Sequence, residues 1–152
     1  MDNEKTIDVL NTLITINNDR IEGYETAGKE TEEHELKSMF AQFSATSQKC
    51  KRELTNEVNR LGGKPSDGTL ITGKFFRVWM DVKAALTGKD RKAILDSCEY
   101  GEDAAKDTYG DVLKNDTETL TEAQRSMIRS QHILLQADHD TVKTMRDLAI
   151  AD

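Results

Sequence analysis

Apolar residues recur along the chain at intervals of three, four and seven, the spacing of one face of a helix. From about Glu4 to Ala27 the inward positions are Ile7, Leu10, Ile14, Ile21 and Tyr24, flanked by Val9, Leu13 and Ile16. Asn17 and Asn18 interrupt that stripe about halfway. Gly28 is placed to end the helix in a left-handed cap. Thr31 then offers an N-cap, with Glu32, Glu33 and Glu35 in the first turn. The second stripe is Leu36, Met39, Phe40, Phe43, Ser47, Cys50, Leu54, Val58 and Leu61, and Gly62-Gly63 stops it. A helix of about 30 residues is roughly 45 Å long. The short link between two such helices predicts an antiparallel hairpin.

Lys64 to Thr69 holds the only proline and reads as a loop. Ile71 to Leu86 gives a shorter helix, with Phe75, Trp79, Val82 and Leu86 on one face and Gly88 after it. Asp90 is the N-cap of the next long helix, which runs to Lys114 with Ile94, Leu95, Cys98, Ala105, Tyr109, Val112 and Leu113 inward. After a turn at Asn115 to Glu118, Thr121-x-x-Gln124 has the spacing of a capping box. The last helix extends to about Ala149, with Met127, Leu134, Leu135, Val142, Met145 and Leu148 inward. The chain is therefore expected to be all-α and one domain, residues 1–152. Four helices are long, and the connection between the second and third of them is long enough to traverse a bundle from end to end. That connection, carrying the short extra helix, lets those two helices run parallel, the single-crossover order of ferritin-like bundles. A simple up-and-down bundle of five helices is the alternative.

Charge narrows the partners. The formal net charge is -7, so nucleic acid and anionic membranes are expected to be repelled. No segment reaches the roughly 18 apolar residues of a membrane span. The first ten residues, MDNEKTIDVL, are acidic without the apolar stretch of a signal peptide, so the expected location is the cytoplasm. Cys50 and Cys98 lie on apolar stripes and read as buried thiols, with a disulfide or redox role as the alternative.

A bundle di-metal site needs inward carboxylates on four helices and Glu-x-x-His on two of them. Three residues before His34, His132 and His139 stand Thr31, Arg129 and Gln136, so that pattern is absent. The second helix carries no acid between Glu35 and Glu53. A weaker constellation remains. An antiparallel return of the last helix puts Gln131 level with Glu102, and His139 level with Ile94 and Leu95. Glu22, Glu99, Glu102, Gln131 and His139 then share one region as candidate metal ligands, with iron or manganese as the implied ion. The competing reading makes them solvated residues or partners of Arg77, Arg129 and Lys106. Gly23 and Gly101 sit inside helices, where close helix approach or a backbone opening onto a pocket would explain them.

Several of these residues form a pattern: Asn11-x-Leu13-Ile14, Asp19-x-x-Glu22-Gly23-Tyr24, Phe40 with Glu53-Leu54, and Leu61-Gly62-Gly63. Arg77-x-Trp79, Lys83-Ala84-Ala85-Leu86, Glu99-x-Gly101-Glu102-Asp103, Tyr109, Gln131 and His139-Asp140 complete it. In these the chain resembles, over nearly its whole length, a bacterial family of uncharacterised ferritin-like four-helix bundles known as a domain of unknown function. The resemblance implies the bundle and no established activity. The family pattern has His-Arg before the tryptophan and Glu-Arg-Gly-Glu-Asp in the fourth helix. Phe76 and Tyr100 stand in place of that imidazole and that guanidinium.

Two functions follow. The first, favoured by the missing Glu-x-x-His pairs, is a non-catalytic bundle acting by binding or self-association, with a homo-oligomer allowed. The second is a carboxylate-rich protein binding iron or manganese at a degenerate di-metal site.

Overall fold

The computed structural model describes residues 3–68 and 91–151, and within them every regular element is a helix. These are α1 (Asn3–Glu30), α2 (His34–Arg60), α3 (Arg91–Asn115) and α4 (Glu122–Ala151). The all-α expectation holds. The predicted short helix from Ile71 to Leu86, with Arg77 and Trp79, lies outside the described residues, as does the Asp90 cap.

The helix ends follow from local chemistry, with two corrections. Gly28 does not end α1, which continues to Glu30, and the Thr31 N–H still bonds the Ala27 carbonyl at 3.0 Å. Thr31 is not the N-cap of α2. That position is Glu33, in extended conformation and without a side-chain cap bond. The Thr31 hydroxyl instead accepts the Glu33 N–H at 3.3 Å, within the link. At the other end of α2 the double glycine does act as a stop. Gly62 takes φ of 81°. The Gly62 N–H bonds the Asn59 carbonyl and the Gly63 N–H bonds the Val58 carbonyl, both at 3.0 Å. This is the Schellman closure that favours glycine at its left-handed position. Gly63 has a separate reason to lack a side chain, because a Cβ there would come within 2.7 Å of Ile7. The capping box at α4 forms: the Gln124 N–H reaches Thr121 Oγ1 at 3.1 Å, and the Thr121 N–H reaches Gln124 Oε1 at 2.9 Å.

Side-chain contacts set the directions. Arg91, opening α3, pairs with Glu33 at 2.7 Å and Glu35 at 2.5 Å, beside the start of α2. Gln124, near the start of α4, donates to Glu57 at 2.9 Å, near the end of α2. Thr6, near the start of α1, donates to the Thr119 carbonyl at 2.8 Å. Helices α2 and α3 are therefore parallel to each other and antiparallel to α1 and α4. The chain leaves α2 at one end of the four-helix packing and enters α3 at the other.

The packed positions repeat three and four apart on every helix. On α1 they are Leu10, Leu13, Asn17, Arg20, Tyr24 and Ala27; on α3 they are Leu95, Cys98, Glu102, Ala105, Tyr109 and Val112. This is the heptad-like spacing of helices that pack along their length. The apolar members fall into two clusters. One gathers Tyr24, Phe40, Phe43, Leu95 and Val142 near the α1–α2 turn. The other gathers Leu10, Leu13, Leu54, Ile128 and Leu135 toward the opposite end. Each fully buried large side chain contributes about 1.5–3 kcal/mol, so the two clusters supply most of the stabilisation. All the predicted inward residues of α2 from Leu36 to Val58 are buried. On α4 the pattern is corrected: Leu148 is 64% exposed, whereas Ile128 is fully buried.

Candidate functional site

Between the two apolar clusters the seam turns polar. Arg20 of α1 is 2% exposed and reaches all three other helices. Its Nε and Nη2 donate to Glu102 Oε1 of α3 at 3.2 and 2.8 Å. Nη2 also donates to Asp138 Oδ2 of α4 at 3.1 Å, and Nη1 donates to the Ser47 hydroxyl of α2. The guanidinium carbon stands 5.4 Å from the Tyr24 ring centre, and the Tyr24 hydroxyl donates to Glu102 Oε1. Glu102 is 1% exposed, and its Oε2 finds no hydrogen-bond partner among the described residues.

Burial alone disfavours a charged arginine, but Glu102, Tyr24 and Asp138 outweigh that cost, and the Arg20 pKa is raised. Among the described residues one cation faces two carboxyl groups, so the layer carries an excess acid. Asp138 shows it. Burial pushes its carboxyl up to about 6, against the pull of Arg20 and with a further push from Glu102. Burial also raises Tyr24, and the Glu102 carboxylate adds to the effect.

About one to two turns away a second hydrogen-bonded chain crosses the interior. Asn17 donates to the Leu13 carbonyl and to the Tyr109 hydroxyl, each at 2.8 Å. The Tyr109 hydroxyl donates to Gln131 Oε1 at 2.7 Å, and Gln131 donates to Glu53 at 3.1 Å. Cys50 and Cys98 are both buried free thiols, as the stripes indicated. Burial pushes the Cys50 thiol up to about 11 and raises Cys98 as well, so neither is poised as a thiolate.

A second polar group lies on the seam between α3 and α4. Glu99 and Asp103, one turn apart on α3, meet His139 of α4, with one ligand atom from each within 4.8 Å of the others. His139 Nε2 is 2.7 Å from Asp103 Oδ1 and 4.0 Å from Glu99 Oε1. The other carboxylate oxygen of Glu99 pairs with Arg146.

The five sequence candidates thus separate. Glu99 and His139 come together. Glu102 points into the bundle and is held by Arg20. Gln131 belongs to the Tyr109 chain. Glu22 is exposed beside a separate cavity of about 380 Å³ lined also by Glu25, Lys29 and Lys51. The expected level of α4 is off by about two turns. Asp138, not Gln131, stands opposite Glu102, and His139 is level with Glu99 and Asp103 rather than with Ile94 and Leu95. Glu99 and Glu102 do not share a face; Glu99 shares one with Asp103. Arg20, Asp138 and Ser47 complete the central layer without having been singled out as site residues. Their signal was positional: each is a polar residue on a stripe position.

Residues 5–115 match the family model described as "Domain of unknown function (DUF2383)". The chain belongs to this family. The match spans α1, α2 and α3, so Arg20, Ser47, Glu99, Glu102 and Asp103 of this DUF2383 chain fall inside it, while Asp138 and His139 fall beyond it. No curated protein matches the chain.

Proposed function

We propose that this chain is a non-catalytic, ferritin-like helical bundle of the cytoplasm that works by binding or self-association. In this reading residues 71–86 form a short crossover helix between α2 and α3. The parallel course of those two helices supports the crossover. The observation that carries the non-catalytic reading is Arg20. A bundle metalloprotein holds its ions where acids of facing helices converge. Here a guanidinium occupies that place, takes up Glu102 and Asp138, and meets a serine on α2. A di-iron or di-manganese group does not fit these residues, because the donor set is incomplete and a fixed positive charge stands at its centre. Among the described residues no helix is long and apolar enough to cross a membrane. Ile133 and Leu148 stand 69% and 64% exposed on α4 and suit contact with another protein surface.

The test pairs aerobic iron(II) oxidation with sedimentation velocity over a wide concentration range. No oxidation above the buffer rate, with a sedimentation coefficient that rises with concentration, is the expected result. Turnover of iron(II) that disappears in Glu102→Ala would overturn the reading.

A further inference from the structure

We infer that Glu99, Asp103 and His139 form a mononuclear site for a divalent transition-metal ion of the zinc type. The inference goes beyond the non-catalytic reading and does not use the bundle centre. Four observations carry it. The donor set is one imidazole and two carboxylates, converging from two helices onto one point. The spacing fits: a tetrahedral ion with bonds of about 2.0–2.1 Å holds its ligand atoms about 3.3 Å apart, and the two Nε2–oxygen distances of 2.7 and 4.0 Å lie on either side of that value.

The third observation is the other face of the imidazole. His139 Nδ1 lies 3.2 Å from Asp140 Oδ1, and Gln136 Nε2 holds that same oxygen at 2.9 Å. A carboxylate on the far nitrogen is what fixes ring orientation and tautomer in histidine metal ligands, leaving Nε2 free to bind. Packing adds to this, since the His139 side chain is only 10% exposed. The fourth is access and charge. Asp103 is 45% exposed, so one side of the site opens to water for a fourth ligand. Two carboxylates neutralise a divalent ion, and Arg146 engages Glu99 Oε2 while Oε1 faces the histidine. An imidazole in the set disfavours magnesium and calcium, which take oxygen ligands.

The full-length protein, stripped with a chelator, is titrated with zinc(II) by calorimetry and with cobalt(II) by visible absorption. The expected result is one ion per chain and a tetrahedral cobalt spectrum, with no competition from magnesium. Asp103→Asn, at an exposed position, and His139→Gln each remove a direct ligand, so each weakens binding by more than the roughly 10- to 100-fold that loss of an outer-shell partner costs, and abolishes the spectrum. Arg146→Ala, which releases Glu99, binds more tightly than the parent. Glu22→Gln, away from the seam, binds like the parent and separates the site from general attraction of cations to an acidic protein. Equal affinity in the parent, Asp103→Asn and His139→Gln would overturn the inference, as would the absence of a one-to-one complex in the parent.

Discussion

Replacing Arg20 with methionine removes the cation that, among the described residues, holds the central layer, while keeping an unbranched side chain as long as the arginine stem through Nε. Glu102 and Asp138 then stay buried, 1% and 3% exposed, without the four hydrogen bonds that the guanidinium makes to Glu102, Asp138 and Ser47. Breaking a buried ion pair from one side costs about 3–5 kcal/mol, because the surviving charge has lost its compensation. That is a large share of the roughly 5–15 kcal/mol that stabilises an ordinary domain. At about 2–4 °C per kcal/mol, the melting temperature falls by about 6–20 °C. The deficit also depends on pH. Without Arg20 the Asp138 carboxyl, already raised by burial, loses the cation that opposes that rise and binds a proton still more readily when folded than when unfolded. A carboxyl with a raised folded pKa loses stability as pH rises, so the deficit is smaller at pH 5 than at pH 8. Urea melts of the parent and Arg20→Met at both pH values measure it, with equal slopes confirming comparable unfolding. Replacing all three charged groups, as Arg20→Met with Glu102→Met and Asp138→Leu, recovers most of the loss. A deficit under about 1 kcal/mol at pH 8, or one that is the same at both pH values, would refute the assignment of Arg20 as a compensating buried charge.

Other expectations are local. Asp138 titrates at about 6 when folded and near 3.9 when unfolded, so its contribution to stability falls as pH rises between those values. Asp138→Asn removes that slope, which urea midpoints across pH 4 to 7 will detect. Gly62→Ala costs about 1 kcal/mol, because φ is 81° and no atom lies within 4 Å of the new methyl, leaving backbone strain alone. Gly62→Asn costs less on the same chemical melt. Tyr109→Phe breaks the chain between Asn17 and Gln131 and costs about 1–3 kcal/mol by circular dichroism melts. Thr121→Ala removes half of the capping box and costs about 1 kcal/mol, with faster amide exchange confined to the first turn of α4.

What was legible depended on how a residue advertises its surroundings. The α2 stripe from Leu36 to Val58 is nearly all apolar, and its periodicity alone placed it. Arg20, Glu102 and Asp138 obey the same spacing, yet each in isolation has the chemistry of a surface residue. Only the coincidence of a cation and two acids on seam positions of different helices reveals the layer, and that requires the register between helices. The register was the weak link. Counting back from the α3–α4 turn placed α4 about two turns from its position, which hid Asp138 and misplaced His139. Gly28 misled for a simpler reason: glycine permits a left-handed cap without requiring one, and the Thr31 N–H still bonds the Ala27 carbonyl beyond it. The pairing of Glu99 with Asp103 follows from their spacing of four, one turn apart on the same row of α3.

A seam that repeats every seven residues is ambiguous about alignment. Sliding one hairpin past the other by a heptad would bring apolar side chains opposite apolar side chains again, with little to tell the two arrangements apart. The Arg20 layer removes that degeneracy. Moved by one heptad, Glu102 would face Leu13 or Ala27 in place of Arg20, and a bare charge would lie in hydrocarbon. One costly residue set thus acts as an address for the entire interface, in the way a single polar position fixes alignment in coiled coils.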